Sequence, residues 1–329
     1  MIRRVVPTLA FVAVVAGSGC ASSADDDPRM DVVTTVSPIT SIAENVAGDL
    51  VEITGIVPEG TNSHEFEPAP SDARLMSEAE AVFVSGLNLE LPTLELAEAN
   101  VAEGVSIVKL GERTITPQEY IFDFSFPEEE GDPNPHLWTN PPYAARYAEI
   151  IRDTLSDLDP DNAATYDRNY GAFAARIDQL DQAAREVTAT VPEENRKLLT
   201  YHDSFPYLAR EYGWEVIGAI QPSDFGDPTP QEVAGLIAQV REEGVPAIFG
   251  SEVFPSPVLE QIAEETGAEY VDDLRDDDLP GSPGDPEHTY LGLMVFDYRT
   301  FMGALGGDVS PFEAIEISNV TEGDGEYRE

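Results

Sequence analysis

One long amphipathic segment constrains the fold of this chain more than any other feature. Between Tyr166 and Val187, apolar residues recur at alternating steps of four and three, which is typical of an α-helix. A helix of about 30 residues is roughly 45 Å long, at about 1.5 Å per residue. Such a helix extends along two domains rather than within one. We therefore predict a rigid bridging helix over residues 161–191, with little hinge opening between the lobes that it joins.

Strand-like and helix-like segments alternate on both sides of this predicted helix. Residues 32–36, 39–47 and 51–57 read as strand, helix and strand. Such alternation predicts parallel sheets covered by helices. We predict an α/β protein with two parallel-sheet lobes, 31–160 and 192–308, in which ligands collect between the lobes at the carboxyl ends of strands. Three predicted helices of the second lobe end at glycine, a common position after a helix: Gly213, Gly244 and Gly267.

The two ends of the chain are predicted to lie outside the folded lobes. Residues 1–19 combine two arginines, a short apolar run and small residues, which is typical of an export signal. Cys20 is the only cysteine of the chain and follows that signal. We expect it to be lipidated, with 20–30 forming an acidic tether. The segment 309–329 is expected to be an acidic, disordered tail.

The charge balance excludes some classes of partner. The chain has 18 Lys and Arg against 63 Asp and Glu, which gives a formal net charge of −45. A field of that sign repels phosphate, so the chain is not expected to bind nucleic acid or bare anionic lipid. Because 42% of its residues are hydrophobic, the composition still favours a folded protein. Our hypothesis is adaptation to high salt, which screens the self-repulsion.

Histidine is scarce in this sequence, and three of the four histidines lie in turn-rich contexts or at the end of a predicted strand. These three are His64, His136 and His202, whereas His288 precedes a predicted helix and is expected at the surface. Imidazole nitrogens suit an ion such as Zn²⁺ if the fold brings them together. The alternative is that the three histidines are unrelated surface or core residues.

Several segments, in this order, resemble the zinc- and manganese-binding lipoproteins of ATP-binding-cassette (ABC) importers, known as the TroA-like or cluster A-I solute-binding proteins. The resemblance covers residues 31–308. It is carried by four segments: HEFEPAP at 64–70, DPNPHLWTNP at 132–141, DPDNAATY at 159–166 and the run from Thr200 to Gly213. The family implies two α/β lobes joined by one long helix, with a single metal ion held between them.

The resemblance also implies a set of metal ligands. His64 and His136 match the two ligands of the family's first lobe, and His202 falls where the family has His or Glu. The fourth ligand of the family is an aspartate in a loop of the second lobe. Alignment of the apolar residues around that loop favours Asp277. Two neighbouring acids remain alternatives because the acidic run blurs the register: Asp278 first, then Asp276.

The function implied by the resemblance is metal capture and not catalysis. We expect a monomer, held at the outer face of the cytoplasmic membrane by its lipid anchor alone, which delivers Zn²⁺ to a permease and its cytosolic ATPase. Histidine at position 202 favours Zn²⁺. Residues 114–132 lack the histidine-rich loop of many zinc-selective relatives, so Mn²⁺ is the alternative. The rival interpretations are a surface adhesin and a secreted zinc hydrolase with Glu65 as general base.

Overall fold

The computed structural model describes residues 29–129, 131–221, 228–251, 256–323 and 325–328. The predicted export signal, Cys20 and nearly all of the tether lie outside the described residues. None of the helices within the described ranges is both long enough and apolar enough to cross a bilayer.

The first lobe contains a parallel four-stranded sheet in the order β2-β1-β3-β4, covered by helices. Its strands are short and mostly buried, as expected where helices cover both faces of a parallel sheet. The elements in chain order are β1 (Met30–Thr34), α1 (Ser37–Ala47), β2 (Val51–Gly55), α2 (Asp72–Glu78), β3 (Ala81–Val84), α3 (Leu91–Asn100), β4 (Ser106–Lys109), α4 (Leu110–Thr114) and α5 (Pro141–Leu158).

The predicted bridging helix is α6 (Ala163–Thr190), which has 28 residues. Its buried side chains include Tyr166, Phe173, Ile177 and Val187, which belong to the apolar stripe seen in the sequence. The helix packs against α1 and α5 of the first lobe and against helices of the second lobe. The prediction of one long helix shared by two lobes is therefore confirmed.

The second lobe repeats the parallel arrangement of the first, with the strand order β6-β5-β7-β8. Three of its helices end at glycines with positive φ, as predicted: Gly213, Gly244 and Gly267. The elements in chain order are β5 (Lys197–Thr200), α7 (Pro206–Tyr212), β6 (Glu215–Ala219), α8 (Pro230–Glu243), β7 (Ala247–Ser251), α9 (Pro257–Thr266), β8 (Glu269–Leu274) and α10 (Tyr290–Ala304).

The two lobes share one hydrophobic core. Buried residues of the first lobe, such as Trp138, are continuous with Phe173 of α6 and with Tyr290 and Phe301 of α10. Hydrogen bonds cross the same boundary, because the Tyr290 hydroxyl donates to the Trp138 carbonyl (2.9 Å) and the Trp138 indole donates to the Asp276 carbonyl (2.8 Å). A boundary that is both apolar and hydrogen-bonded agrees with the expected lack of hinge opening.

The described residues of the C-terminal segment, 309–323 and 325–328, pack against the folded domain, which corrects the expectation of a disordered tail over 309–329. Glu326 pairs with the edge strand β2, accepting from Gly55 N (2.9 Å) and donating to Ile53 O (2.8 Å). Further along, Arg328 contacts the Asp72 carboxylate at 2.9 Å. The acidic composition suggested solvation, but the unpaired edge of β2 supplies backbone partners that composition does not reveal.

His288 is buried rather than exposed, which corrects a second expectation. Its ring packs against Tyr327 of the C-terminal segment, with centroids 4.7 Å apart, and its Nε2 lies 3.8 Å from Glu59. The residue is 4% exposed. The segment that covers it was predicted to be disordered, so the two errors have one cause.

Candidate metal centre

Three loops deliver the predicted histidines to the space between the lobes. His64 lies in the loop after β2, His136 lies between α4 and α5, and His202 follows β5 by two residues. In the first lobe the same local turn is used twice. The side-chain oxygens of Asn62 and Asn134 accept from the backbone N–H of His64 (3.1 Å) and His136 (3.0 Å). In this Asx-turn, the side chain of an asparagine binds the backbone two residues later. It fixes the backbone of both His64 and His136.

The Nε2 atoms of the three histidines converge. They lie 3.4 Å apart for His64 and His136, 3.2 Å for His64 and His202, and 3.1 Å for His136 and His202. A tetrahedral Zn²⁺ with Zn–N distances of about 2.0–2.1 Å requires nitrogens about 3.3 Å apart. Within the described part of the chain, these histidines form the one group of three or more possible ligands gathered closely enough to hold an ion.

Side-chain amides fix the ring orientation of two of these histidines. The Nδ1–H of His136 donates to Asn134 Oδ1 (2.9 Å), and the Nδ1–H of His202 donates to Gln221 Oε1 (2.5 Å). In a neutral imidazole the other nitrogen then carries the lone pair. The Nε2 atoms of His136 and His202, 3.1 Å apart, are thereby directed at one point, where a cation could accept both lone pairs.

The electrostatics keep the first-lobe histidines uncharged. Burial lowers the pKa of His64 well below its ordinary value of 6.5, and the neighbouring His202 lowers it further. Burial is also the main cause of the lowered pKa of His136, with smaller contributions from His202 and His64. Neutral imidazole is the form that binds a metal ion. The site is therefore ready to bind metal near neutral pH without losing protons from these two rings.

The three consecutive aspartates of the second lobe have different surroundings, and all are buried. Asp276 Oδ2 lies 3.7 Å from His202 Nε2 and accepts from the Ser204 hydroxyl at 3.0 Å. The Asp277 carboxyl is next to the Ser63 side chain; burial, followed by the charges of its two neighbours, raises its pKa well above 3.8. Asp278 accepts from Gly60 N of the first lobe at 2.7 Å. Asp277 lies outside the group formed by the three histidines.

A first-lobe loop over residues 121–126 closes one side of the site. Within it, Asp123 faces Asp203 of the second lobe, and burial is the main cause of the raised pKa of both carboxyls. Ser125 donates its hydroxyl to the Gln221 carbonyl at 2.7 Å. Phe126 packs against the histidine rings. This loop of the first lobe therefore contacts the second lobe next to the proposed metal ligands.

Sequence reasoning missed the residues that support the histidines. The repeated Asn-x-His pattern at Asn62 and Asn134 was a visible signal for two of the supporting turns. No comparable signal identified Gln221, which comes from the end of the neighbouring strand β6. The proposed general base Glu65 is exposed and accepts from the Asn62 amide at 2.9 Å. Its carboxylate is thus held at the surface of the loop.

The comparisons with known proteins agree with this geometry. Residues 32–304 match the family model described as the periplasmic zinc-uptake complex component A. The manganese-binding lipoprotein MntA of Halalkalibacterium halodurans is 28% identical over 92% of this chain and 97% of its own length. The iron-binding protein YfeA of Yersinia pestis is 32% identical over 91% of this chain and 94% of its own length.

Solved structures show the same fold. The periplasmic zinc-binding protein TroA of Treponema pallidum superposes with a TM-score of 0.76 at 25% identity, over 84% of this chain and 99% of that one. A manganese-bound periplasmic metal-binding protein from Candidatus Liberibacter asiaticus gives 0.74 at 27% identity, over 84% and 100%. Taken with the converging histidines, these matches show that the chain belongs to the zinc-uptake component A family, whose members are substrate-binding proteins of ABC metal importers and not enzymes.

Proposed function

We propose that this protein captures one Zn²⁺ ion between its lobes and delivers it to the permease of an ABC importer. The observation that supports this most directly is the convergence of three imidazole Nε2 atoms at 3.1–3.4 Å. Three neutral nitrogens and one carboxylate form the four-coordinate donor set that Zn²⁺ prefers. The metal ligands proposed from the first lobe are His64 and His136, and His202 is proposed from the second lobe.

The proposed fourth ligand is Asp277, with Asp276 as the alternative. The alignment of the loop favours Asp277. Its carboxyl is buried between two other aspartates, which raises its pKa, and a bound cation would offset that repulsion. Asp276 is nearer to His202 but already accepts from the Ser204 hydroxyl. We expect Asp277→Asn to weaken zinc binding strongly, because it removes a charged ligand, and Asp276→Asn to weaken it by about 10- to 100-fold or less, as for a residue that supports a ligand. The reverse order in a metal titration would assign the ligand to Asp276.

Manganese is the alternative cargo. Relatives such as MntA are named for manganese binding, and residues 114–132 of this chain contain no histidine. Mn²⁺ favours more oxygen donors and a higher coordination number than Zn²⁺. A bidentate Asp277, or Asp276 as an additional donor, would provide such a shell. The choice between the two ions therefore depends on how many positions around the three histidines are open to oxygen.

The proposed location follows from the N-terminus. We infer that Cys20 is lipidated after export and holds the protein, as a monomer, at the outer face of the cytoplasmic membrane. Relatives are named as lipoproteins, which supports this proposal. The permease and its cytosolic ATPase are the proposed partners. The net charge of −45 supports adaptation of the folded domain to high salt.

The test of the proposed function is stoichiometric metal binding that depends on the histidines. Residues 29–329, purified without metal in molar salt, should bind one equivalent of Zn²⁺. We expect His136→Ala to abolish tight binding, because it removes a ligand that is 1% exposed. The matched control is His288→Asn, which alters a buried histidine outside the site and should still bind one equivalent. Retained binding by His136→Ala would contradict the proposal.

A further inference from the structure

The Phe126 ring lies against all three proposed histidine ligands. Its centroid is 5.5 Å from that of His64, 5.8 Å from that of His136 and 6.2 Å from that of His202. The three histidine rings are 4.8–5.3 Å from one another. A point nearly equidistant from the corners of a triangle lies close to the axis through its centre. The phenyl ring therefore covers one face of the triangle that the three histidine rings form.

The loop holds this ring in place from both lobes. Within the loop, the Asp123 backbone N–H donates to the Phe126 carbonyl at 2.9 Å, which closes a tight turn. The Ser125 hydroxyl is buried and donates to the Gln221 carbonyl of the second lobe. Phe126 itself is 7% exposed, whereas Phe124, two residues earlier, is 52% exposed. The chain thus buries one of two neighbouring aromatic rings, and it is the ring that faces the histidines.

An apolar ring in this position limits how many ligands a captured ion can have. A phenyl group offers no donor atom, and its bulk keeps water from the face that it covers. Zn²⁺ is satisfied by four ligands, whereas Mn²⁺ gains from further oxygen donors, commonly water. We propose that Phe126 is a specificity-determining residue, which denies water a coordination position and so favours Zn²⁺ over Mn²⁺. This inference rests on the proposed capture of a divalent ion by the three histidines.

Cobalt substitution and metal competition test this inference together. Four-coordinate Co²⁺ absorbs visible light far more strongly than five- or six-coordinate Co²⁺, so its spectrum reports the coordination number directly. We expect the intense spectrum in the wild type and a weaker one in Phe126→Ala, as water enters. The ratio of zinc affinity to manganese affinity should fall by about tenfold in the same variant.

Two further variants complete the design. Phe126→Gln replaces the ring by a polar side chain that offers oxygen to the ion, and it should also lower the cobalt absorption and the affinity ratio if Phe126→Ala does not fold. Phe124→Ala is the matched control and should behave as the wild type. Wild-type spectra and affinity ratios in folded Phe126 variants would overturn the inference. A wild type that binds no metal would instead remove the proposed function on which it rests.

Discussion

At the scale of single residues, neutral amides rather than carboxylates orient the candidate ligands. Asn134 accepts from His136 Nδ1 and also donates to the Asp203 carbonyl across the lobe boundary, and Gln221 accepts from His202 Nδ1. A carboxylate partner would increase the basicity of a ligating imidazole, whereas an amide fixes its tautomer with less effect on charge. The two amides therefore set the orientation of the His136 and His202 rings, and burial keeps His136 uncharged.

The protonation of His64 and His136 gives a prediction at this scale. Because burial lowers the pKa of both rings below 6.5, they should be neutral at a pH where an exposed imidazole is half protonated. Proton competition with the metal at these two ligands then begins only below that pH. Nitrogen NMR of the metal-free protein should show neutral rings at pH 6.5, with the proton of His136 on Nδ1. Titration midpoints at or above 6.5 would contradict this account.

The limits of prediction at this scale have physical causes. His64, His136 and His202 could be predicted because histidine is scarce and the surrounding segments resemble a family. The fourth ligand could not be fixed, because three adjacent aspartates blur the alignment that favours Asp277, and only the folded loop gives each of them different partners. The burial of His288 depended on Tyr327, nearly forty positions later, and local sequence carries no signal of that contact.

At the scale of elements, α6 was predictable because its buried stripe is long and regular. One position within it is suboptimal. Gly171 is exposed in the helix, and a Cβ added there meets nothing within 4 Å. Gly171→Ala should therefore raise the free energy of unfolding by about 0.5–1 kcal/mol, since glycine loses more backbone entropy in a helix.

Denaturant unfolding in molar salt measures this effect. The matched control is Gly111→Ala in the short helix α4, where an added Cβ would lie 2.8 Å from Leu87 Cγ and 3.0 Å from the Ser85 carbonyl. That substitution should lower the free energy of unfolding. Equal effects of the two substitutions would mean that helix propensity and local crowding do not govern these positions.

The C-terminal segment is the element that sequence reasoning misjudged. Glu44 of α1 is 5% exposed, and its carboxylate accepts from the Asn319 amide (2.8 Å), the Tyr327 hydroxyl (2.9 Å) and Gly325 N (3.3 Å). A buried carboxylate needs such donors. The C-terminal segment supplies these donors and also pairs with the edge strand β2. Its contribution to the fold could therefore be recognised only from its contacts with α1 and β2.

Tyr327→Phe tests whether the tail contact stabilises the first lobe. The substitution removes one of the donors to Glu44 and keeps the ring against His288. We expect the free energy of unfolding to fall by about 1 kcal/mol, as is typical for a lost intramolecular hydrogen bond. Glu322→Gln, at an exposed position of the same segment, is the control and should have little effect. No difference between the two variants would show that the bond from the Tyr327 hydroxyl to Glu44 adds nothing to stability.

At the scale of the whole molecule, the two main features are a core shared by both lobes and a high negative net charge. The core continues from the first lobe through α6 into α10, so the lobes are expected to move little when metal binds. The two-lobed fold was predictable because strand and helix patterns alternate on both sides of one long helix. The continuity of the core was not, because apolar positions in a sequence do not reveal which lobe they contact.

The high net charge is expected to make the stability of the fold depend on salt. With a net charge of −45, self-repulsion destabilises the compact state, and dissolved salt screens it. The unfolding temperature of the metal-free protein should rise as sodium chloride is increased from dilute buffer to the molar range. Excess EDTA in every sample excludes stabilisation by trace metal. An unfolding temperature independent of salt would rule out adaptation to high salt.

The most direct test of the central claim is a competitive titration of the metal-free domain with Zn²⁺ and Mn²⁺ in molar salt. We expect one tight equivalent of Zn²⁺ that excludes Mn²⁺, because three imidazole nitrogens converge within 3.1–3.4 Å under an apolar ring. Comparable or stronger binding of Mn²⁺ would contradict the zinc assignment. Stoichiometric binding of neither ion would contradict the metal site itself.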